Sequence, residues 1–320
     1  MEWGPQLRNH LVQVAATRGL ALIGRVTRRR DGSSSPAHVP LSTAWLLRPE
    51  QGRSTLGKVL QSMKTSACKR RVLQSLAGVF PCNAVLFKWK LADSPACLLC
   101  RGASESLAHI QCYCPALKDA RIRAHHNLAA KLWGRLAQAP SRWEIHREVS
   151  VASLSCVEAP LDCRDTWQRT CDELAESDLE GPEDDSDLCA GLLRKRPDAL
   201  AFRWGSKSVM ILEFTRGYDW RPDWHRDTDR YKTERYLCLR DKLLRCLGDG
   251  WSVEIVTFTL GVRGSYEEGS WTSHLAKFGL TGIKAAVLMQ DLVTSCLHEH
   301  HEMLVTRAAA LRNHNANSQV

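Results

Sequence analysis

Apolar residues recur along this chain with two different periods, and the change of period divides it. Leu56, Val59, Leu60 and Met63 follow Ser54-Thr55 at three- and four-residue spacing, which predicts a helix starting there. Val72, Leu73 and Leu76 continue an apolar face around the basic cluster Lys69, Arg70 and Arg71, until Gly78 and Pro81 end it. Asn83 to Trp89 reads as a shorter helix. Ala116 to Gln138, with one glycine at Gly134, reads as a long basic helix stopped by Pro140.

From Asp198 the period shortens. Asp198 to Trp204 and Ser208 to Phe214 are apolar runs around Gly205-Ser206-Lys207, which predicts a hairpin. Asp223 to Leu247 is a charged amphipathic helix, and Trp251 to Leu260, with Val253, Ile255, Val256 and Phe258, is a third strand. Gly261-Val262-Arg263-Gly264 is a turn, and two more helices fill 270–310. Leu280 to Cys296 carries Lys284 and Asp291, so it reads as a buried helix and not a membrane span.

Between these regions, Asp172 to Asp187 holds nine carboxylates and no Lys or Arg, the composition of a solvated linker. Near the start, Arg28-Arg29-Arg30 meets the turn-forming run Asp31 to Pro36. The expected organisation is therefore a flexible basic segment (1–53), a helical module (54–140), a helix and acidic linker (141–190), an α/β domain (191–310) and a tail (311–320). The fold class is α+β: a mostly helical basic module, then an α/β domain with a small mixed sheet.

Composition changes this picture in two respects. With 320 residues, 44% apolar and 25% charged, the chain has the make-up of a soluble globular protein long enough for two domains, each with its own core. The net charge of +9 conceals an asymmetry. Residues 1–150 hold 23 Lys and Arg against 8 Asp and Glu, and residues 151–320 hold 21 against 27. A half with that basic excess attracts polyanions such as phosphate backbones. Met1-Glu2-Trp3-Gly4 lacks the basic and apolar regions of a secretory leader. The 13 cysteines are accordingly expected as reduced thiols in a nuclear or cytoplasmic setting.

Four of those cysteines fall between Cys97 and Cys114 together with His109. Cys97-x2-Cys100 aims two thiolates at one point, and His109-x4-Cys114 supplies two more ligands to close a tetrahedron around zinc. Gly102 is expected to make the sharp turn and Ser104 to cap the helix carrying His109. Metal binding would fold a segment whose few apolar residues cannot. Spacing alone leaves Cys112 and Cys114 as competitors for the fourth place.

The run from Leu73-Gln74-Ser75-Leu76-Ala77-Gly78, through Pro81-Cys82-Asn83-Ala84 and Lys88-Trp89-Lys90-Leu91-Ala92-Asp93-Ser94-Pro95-Ala96-Cys97, to Ser106-Leu107-Ala108-His109 and Cys114-Pro115 resembles the zinc-binding segment of reverse transcriptases. That segment lies downstream of the polymerase in non-LTR (LINE-like) retrotransposon proteins. The resemblance spans about 54–140 and favours Cys114, because the family pattern ends in Cys-Pro. It implies nucleic-acid contacts from Lys69, Arg70, Arg71, Arg121 and Arg123.

In the second half, Arg196-Pro197-Asp198 precedes the hairpin, and Ile211-Leu212-Glu213-Phe214-Thr215 lies in its return strand. Two carboxylates on neighbouring strand ends can converge on one divalent cation. Elements that insert at fixed sites often carry a PD-(D/E)xK restriction-like endonuclease after this zinc segment, and the chain is similar to that arrangement. In those versions the lysine moves to the following helix, and Lys232-Thr233-Glu234-Arg235-Tyr236 matches, with Lys232 and Tyr236 on one helix face. Glu213-Phe214-Thr215 departs from the standard motif by placing threonine where lysine is usual.

The resemblance implies that Asp198 and Glu213 hold Mg2+ or Mn2+ with help from the Phe214 carbonyl. Lys232 then orients the water or neutralises the phosphate, Tyr236 positions Lys232 or the DNA, and Arg194, Lys195 and Arg196 approach the phosphates. The implied partners are DNA, element RNA and a reverse-transcriptase polypeptide encoded upstream. No paired-aspartate polymerase strand is visible, so DNA synthesis by this chain alone is not expected. The competing readings are an inert zinc-dependent binding module and a decayed element fragment. Cys296, His298, His300 and His301 read as a solvated helix end, and Trp220, Trp224 and Trp251 as core.

Overall fold

The computed structural model describes residues 52–76, 78, 80–179, 195–219 and 223–317. Its helical first part contains α1 (Gly52–Ser62), α2 (Ser66–Leu76), α3 (Asn83–Lys88) and α4 (Lys118–Ala137). Four strands follow: β1 (Glu144–Arg147), β2 (Ala199–Arg203), β3 (Ser208–Gly217) and β4 (Ser252–Gly261). Interleaved with or after them are α5 (Arg164–Leu179), α6 (Trp224–Leu247), α7 (Glu268–Lys277) and α8 (Gly282–Asn317). The result is mixed helix and sheet, as the two periods predict. No single described helix is long and apolar enough to cross a membrane.

The strands form one sheet in the order β1-β2-β3-β4. The first three are antiparallel neighbours, while β3 and β4 run parallel. A parallel pair requires a crossover, and α6 provides it. In the β2–β3 hairpin the left-handed position is taken by Lys207 (φ +48°), not by the glycine. β2 and the first half of β3 read as continuous apolar runs because both faces are covered. Ala199, Ala201, Met210, Leu212, Phe214, Val256 and Phe258 meet residues of α1, α2, α4, α7 and α8. Leu200, Phe202, Val209, Ile211 and Val253 meet residues of α5 and α6.

Three expectations are corrected. The segment 141–190 contains β1, which pairs with β2 from Glu144↔Phe202 to Arg147↔Ala199. The acidic stretch is helical as far as Leu179, because Trp167, Cys171 and Leu174 recur at helical spacing and pack into the α5–α6 side of the core. The helical module and the sheet do not bury separate cores: Val59, Val72, Leu132 and Trp133 share one cluster with Leu212, Phe258 and Leu292. The first segment (1–51) and residues 180–194, with Arg194, lie outside the described residues, as does Trp220. Trp224 and Trp251 are buried. Eleven described cysteines are free thiols, whereas Cys238 is disulfide-bonded, a departure from the all-reduced expectation.

Trp133 ties the two parts together, with its ring 5.9 Å from that of Phe258 in an edge arrangement. Trp133→Ala is expected to cost about 3–5 kcal/mol in urea unfolding. A shared core also predicts that far-UV dichroism and tryptophan fluorescence report one coincident transition in the wild type. Two separated transitions would contradict it.

Candidate metal centre and strand-end carboxylates

The segment after α3 folds back on itself through a bridge between Ala96 and Ser104. The Cys97 N–H donates to Ala103 O and the Arg101 N–H to Cys97 O, each at 2.8 Å, so the two cysteines of CxxC sit on one tight knuckle. Arg101 (φ +56°), not Gly102, adopts the left-handed conformation of that turn. The hydroxyl that accepts from the His109 N–H is Ser106 Oγ at 3.0 Å, since Ser104 is engaged in the bridge. His109 to Tyr113 forms a π-helical turn, closed by Cys114 N–H donating to His109 O at 2.7 Å. Around a regular α-helix, positions five apart diverge by about 140°. The wider turn returns Cys114 to the side of His109.

The ligand atoms of Cys97, Cys100, His109 and Cys114 all lie within 4.8 Å of one another. Cys97 Sγ and Cys114 Sγ are 3.8 Å apart, and Cys100 Sγ and His109 Nε2 are 3.3 Å apart. Tetrahedral zinc with Zn–S near 2.3 Å requires S···S of about 3.8 Å, so the set fits structural zinc. Burial lowers the pKa of His109, leaving the neutral imidazole a metal needs. Burial pushes the Cys114 thiol up to about 12, so a thiolate there requires a cation that displaces the proton. Cys112 is outside the set, which resolves the competition left open by spacing. Burial pushes its thiol up to about 11, and its charged neighbours include Arg216 and Asp219.

Glu105, absent from the sequence reading, stands beside this centre. It is fully buried, accepts Asn83 N–H at 2.9 Å, and pairs with Arg307 at 2.9 Å (Nε to Oε1) and 2.5 Å (Nη2 to Oε2). Arg121 donates to Cys114 O at 3.1 Å, and Arg70 and Arg123 are exposed. Lys69 and Arg71, on α2 beside Arg70, are half-buried. Cys296 and His300 are buried, His300 facing Ser75, so they are not a solvated helix end. Among the described residues they join no converging metal-ligand group.

The two carboxylates lie at the central strands and not both at strand ends. Asp198 is the bend residue just before β2, whereas Glu213 is inside β3, one residue past the last β2 pair Ala199↔Leu212 and paired with Thr257 of β4. Asp198 Oδ2 accepts the Phe214 N–H at 2.7 Å, and His125 Nε2 of α4 lies 3.4 Å from Oδ1. Burial by itself would raise the Asp198 carboxyl, but His125, the Phe214 N–H and Lys232 outweigh it and hold the pKa below the usual range. Glu213 is 2% exposed and meets Lys232 Nζ at 2.8 Å. Tyr236, fully buried, donates to Arg196 O at 3.2 Å, and burial together with Glu213 raises its pKa. Asp198 and Glu213 belong to no group of three converging ligands among the described residues.

Lys195 is corrected: it is buried and donates to Arg235 O at 2.9 Å instead of facing phosphate. Arg196 is exposed and held by Glu148 at 2.8 Å. His125 was missed although it stands one helical turn before Leu128 and Ala129, the signal that places it at the rim of the buried face. Asp229 was also missed. It lies three residues before Lys232, and Thr257 Oγ1 donates to it at 3.0 Å.

No protein-family model matches the chain, and no curated protein matches it.

Two outcomes are expected. Zinc measured by elemental analysis is expected at about one ion per chain. It should vanish in Cys114→Ser and persist in Cys112→Ser; the reverse would overturn the ligand set. Burial pushes the Asp229 carboxyl up to about 6. A folded pKa above the unfolded value, about 3.9, means a contribution fully present below the latter and lost as pH rises through the former. Asp229→Asn should therefore raise the melting temperature at pH 7, with the gain shrinking toward pH 4. An equal shift at both pH values would contradict this.

Proposed function

We propose that this protein is a nucleic-acid-binding protein with a structural zinc module and a metal-dependent DNA endonuclease site, equivalent to the part of a non-LTR retrotransposon protein that lies downstream of the polymerase. Its role would be to nick target DNA in the nucleus, in company with element RNA and the reverse transcriptase of such an element. The observation that carries this reading is the approach of Lys232 Nζ to Glu213 Oε2 at 2.8 Å, with Asp198, just before β2, accepting the N–H of the next residue, Phe214, at 2.7 Å. That is the Asp…Glu pair with lysine displaced to the next helix. A zinc-compatible Cys3His set precedes it in the chain.

Under this reading Asp198 and Glu213 would hold Mg2+ or Mn2+, aided by the Phe214 carbonyl. Such a cation lowers the pKa of bound water and stabilises charge on the phosphate. The chain's own groups do the rest. The Phe214 N–H and His125 fix the orientation of Asp198. Lys232 pairs with Glu213 and places an ammonium where phosphate charge grows. Tyr236, anchored on the Arg196 carbonyl, packs beside Glu213 and restricts where Lys232 can lie. The near-complete burial of Glu213 in its pair with Lys232 favours the alternative, a nuclease-like fold that binds without cutting.

Nicking of supercoiled plasmid in Mg2+ or Mn2+ separates the two. The endonuclease reading expects Asp198→Ala, Glu213→Ala and Lys232→Ala each to lose at least about 100-fold in rate, as removal of electrostatic catalysis does, while gel-shift affinity changes little. Equal background nicking by wild type and Asp198→Ala, with binding intact, sinks the enzyme and leaves the binding module.

A further inference from the structure

Asp198 has a second set of neighbours on the α4 side of the sheet, away from Lys232. A cleft of about 370 Å3 opens there between α4 and the β1–β2 edge, and its polar lining is His125, His126, Arg147, Glu148, Arg196 and Asp198. The charges in it are not equivalent. Glu148 accepts from Arg196 Nη2 at 2.8 Å, its other oxygen lies 2.8 Å from His126 Nδ1, and His125 lies against Asp198. Arg147 has no ion-pair partner among the described residues. Its guanidinium reaches across to α4, where Nη2 lies 3.5 Å from the position a Cβ on Gly134 would take. One free fork of donors is therefore held over a cleft whose other charges are already satisfied.

We propose that this cleft receives a phosphate of a nucleic-acid strand, gripped by Arg147 and flanked by Arg196, and that it is the route by which the strand reaches Asp198. The second clause rests on the endonuclease reading; the binding of phosphate does not. Three observations favour it. Access from the α6 side is closed, since the Glu213 and Lys232 side chains are 3% and 18% exposed, whereas those of Asp198 and His125 are 24% and 28% exposed. A guanidinium matches phosphate oxygens two at a time, and a cleft of this volume admits about one nucleotide. The surroundings attract a polyanion: residues 52–137 hold 14 Lys and Arg against 3 Asp and Glu. β1 also sits at the open edge of the sheet, so a strand can pass along it.

The test is fluorescence anisotropy with a labelled DNA duplex and its single strand, titrated across a salt series without divalent metal. The proteins are wild type, Arg147→Ala, Arg147→Lys and Arg240→Ala, the last changing a half-buried α6 arginine paired with Asp241. Arg147→Ala is expected to weaken binding about 5–10-fold and to flatten the salt slope by about one unit. Arg147→Lys should restore the slope, and Arg240→Ala should match wild type. Unchanged affinity and slope in Arg147→Ala, equal losses in Arg240→Ala, or no binding by wild type would each overturn the proposal. Melting temperatures of all four proteins identify any loss due to unfolding, and Arg147→Lys then carries the comparison. Cleavage is not read, so failure of the endonuclease reading would show only in the plasmid assay.

Discussion

Glu105 is fully buried, and a carboxylate in that position persists only where it is paired. Arg307 pairs with both its oxygens, the Asn83 N–H adds a third donor, and Cys97 Sγ approaches to 3.8 Å. The pair joins positions 202 residues apart, fastening the cysteine knuckle and the start of α3 to the last turns of α8. Removing the arginine would strand a buried charge, at a cost on the order of 3–5 kcal/mol. The segment carrying the Cys3His set is for this reason part of the main fold and not an appended finger.

A second link runs from the ligand turn to the sheet. Gln111, inside the π-helical turn between His109 and Cys114, donates to His300 O at 3.1 Å and accepts from Arg216 Nη2 at 2.9 Å. Arg216 lies on β3 three residues beyond Glu213, so the turn that presents two zinc-compatible ligands also touches the strand that presents the proposed catalytic carboxylate. Hydrophobic packing reinforces this: Met303 and Leu304 of α8 join Cys97, Ile110 and Cys114 in one buried cluster. Metal occupancy and the geometry of β3 are expected to rise and fall together.

The parts legible in the sequence are those fixed by local pattern. The hairpin, α6 and β4 follow from apolar runs around turn residues, and Cys97, Cys100 and His109 from spacing, because nearby residues decide them; the choice of Cys114 over Cys112 needed the π-helical turn. β1 was invisible because Glu144-Ile145-His146-Arg147 offers a single strongly apolar side chain; its backbone bonds to β2, more than fifty positions away, make it a strand. The shared core was hidden by the charge asymmetry, which describes the surface and is silent on which buried faces meet. Glu105, His125 and Arg147 carry no motif. Their significance depends on partners brought close only by the fold.

Amide hydrogen exchange, read with zinc bound and after chelation, tests the central claim of a metal centre continuous with the sheet. The account predicts that chelation strips protection from 83–117 and, in the same step, from the end of α8 around Arg307 and from β3 near Arg216. Loss confined to the cysteine segment, with α8 and β3 unchanged, would contradict it.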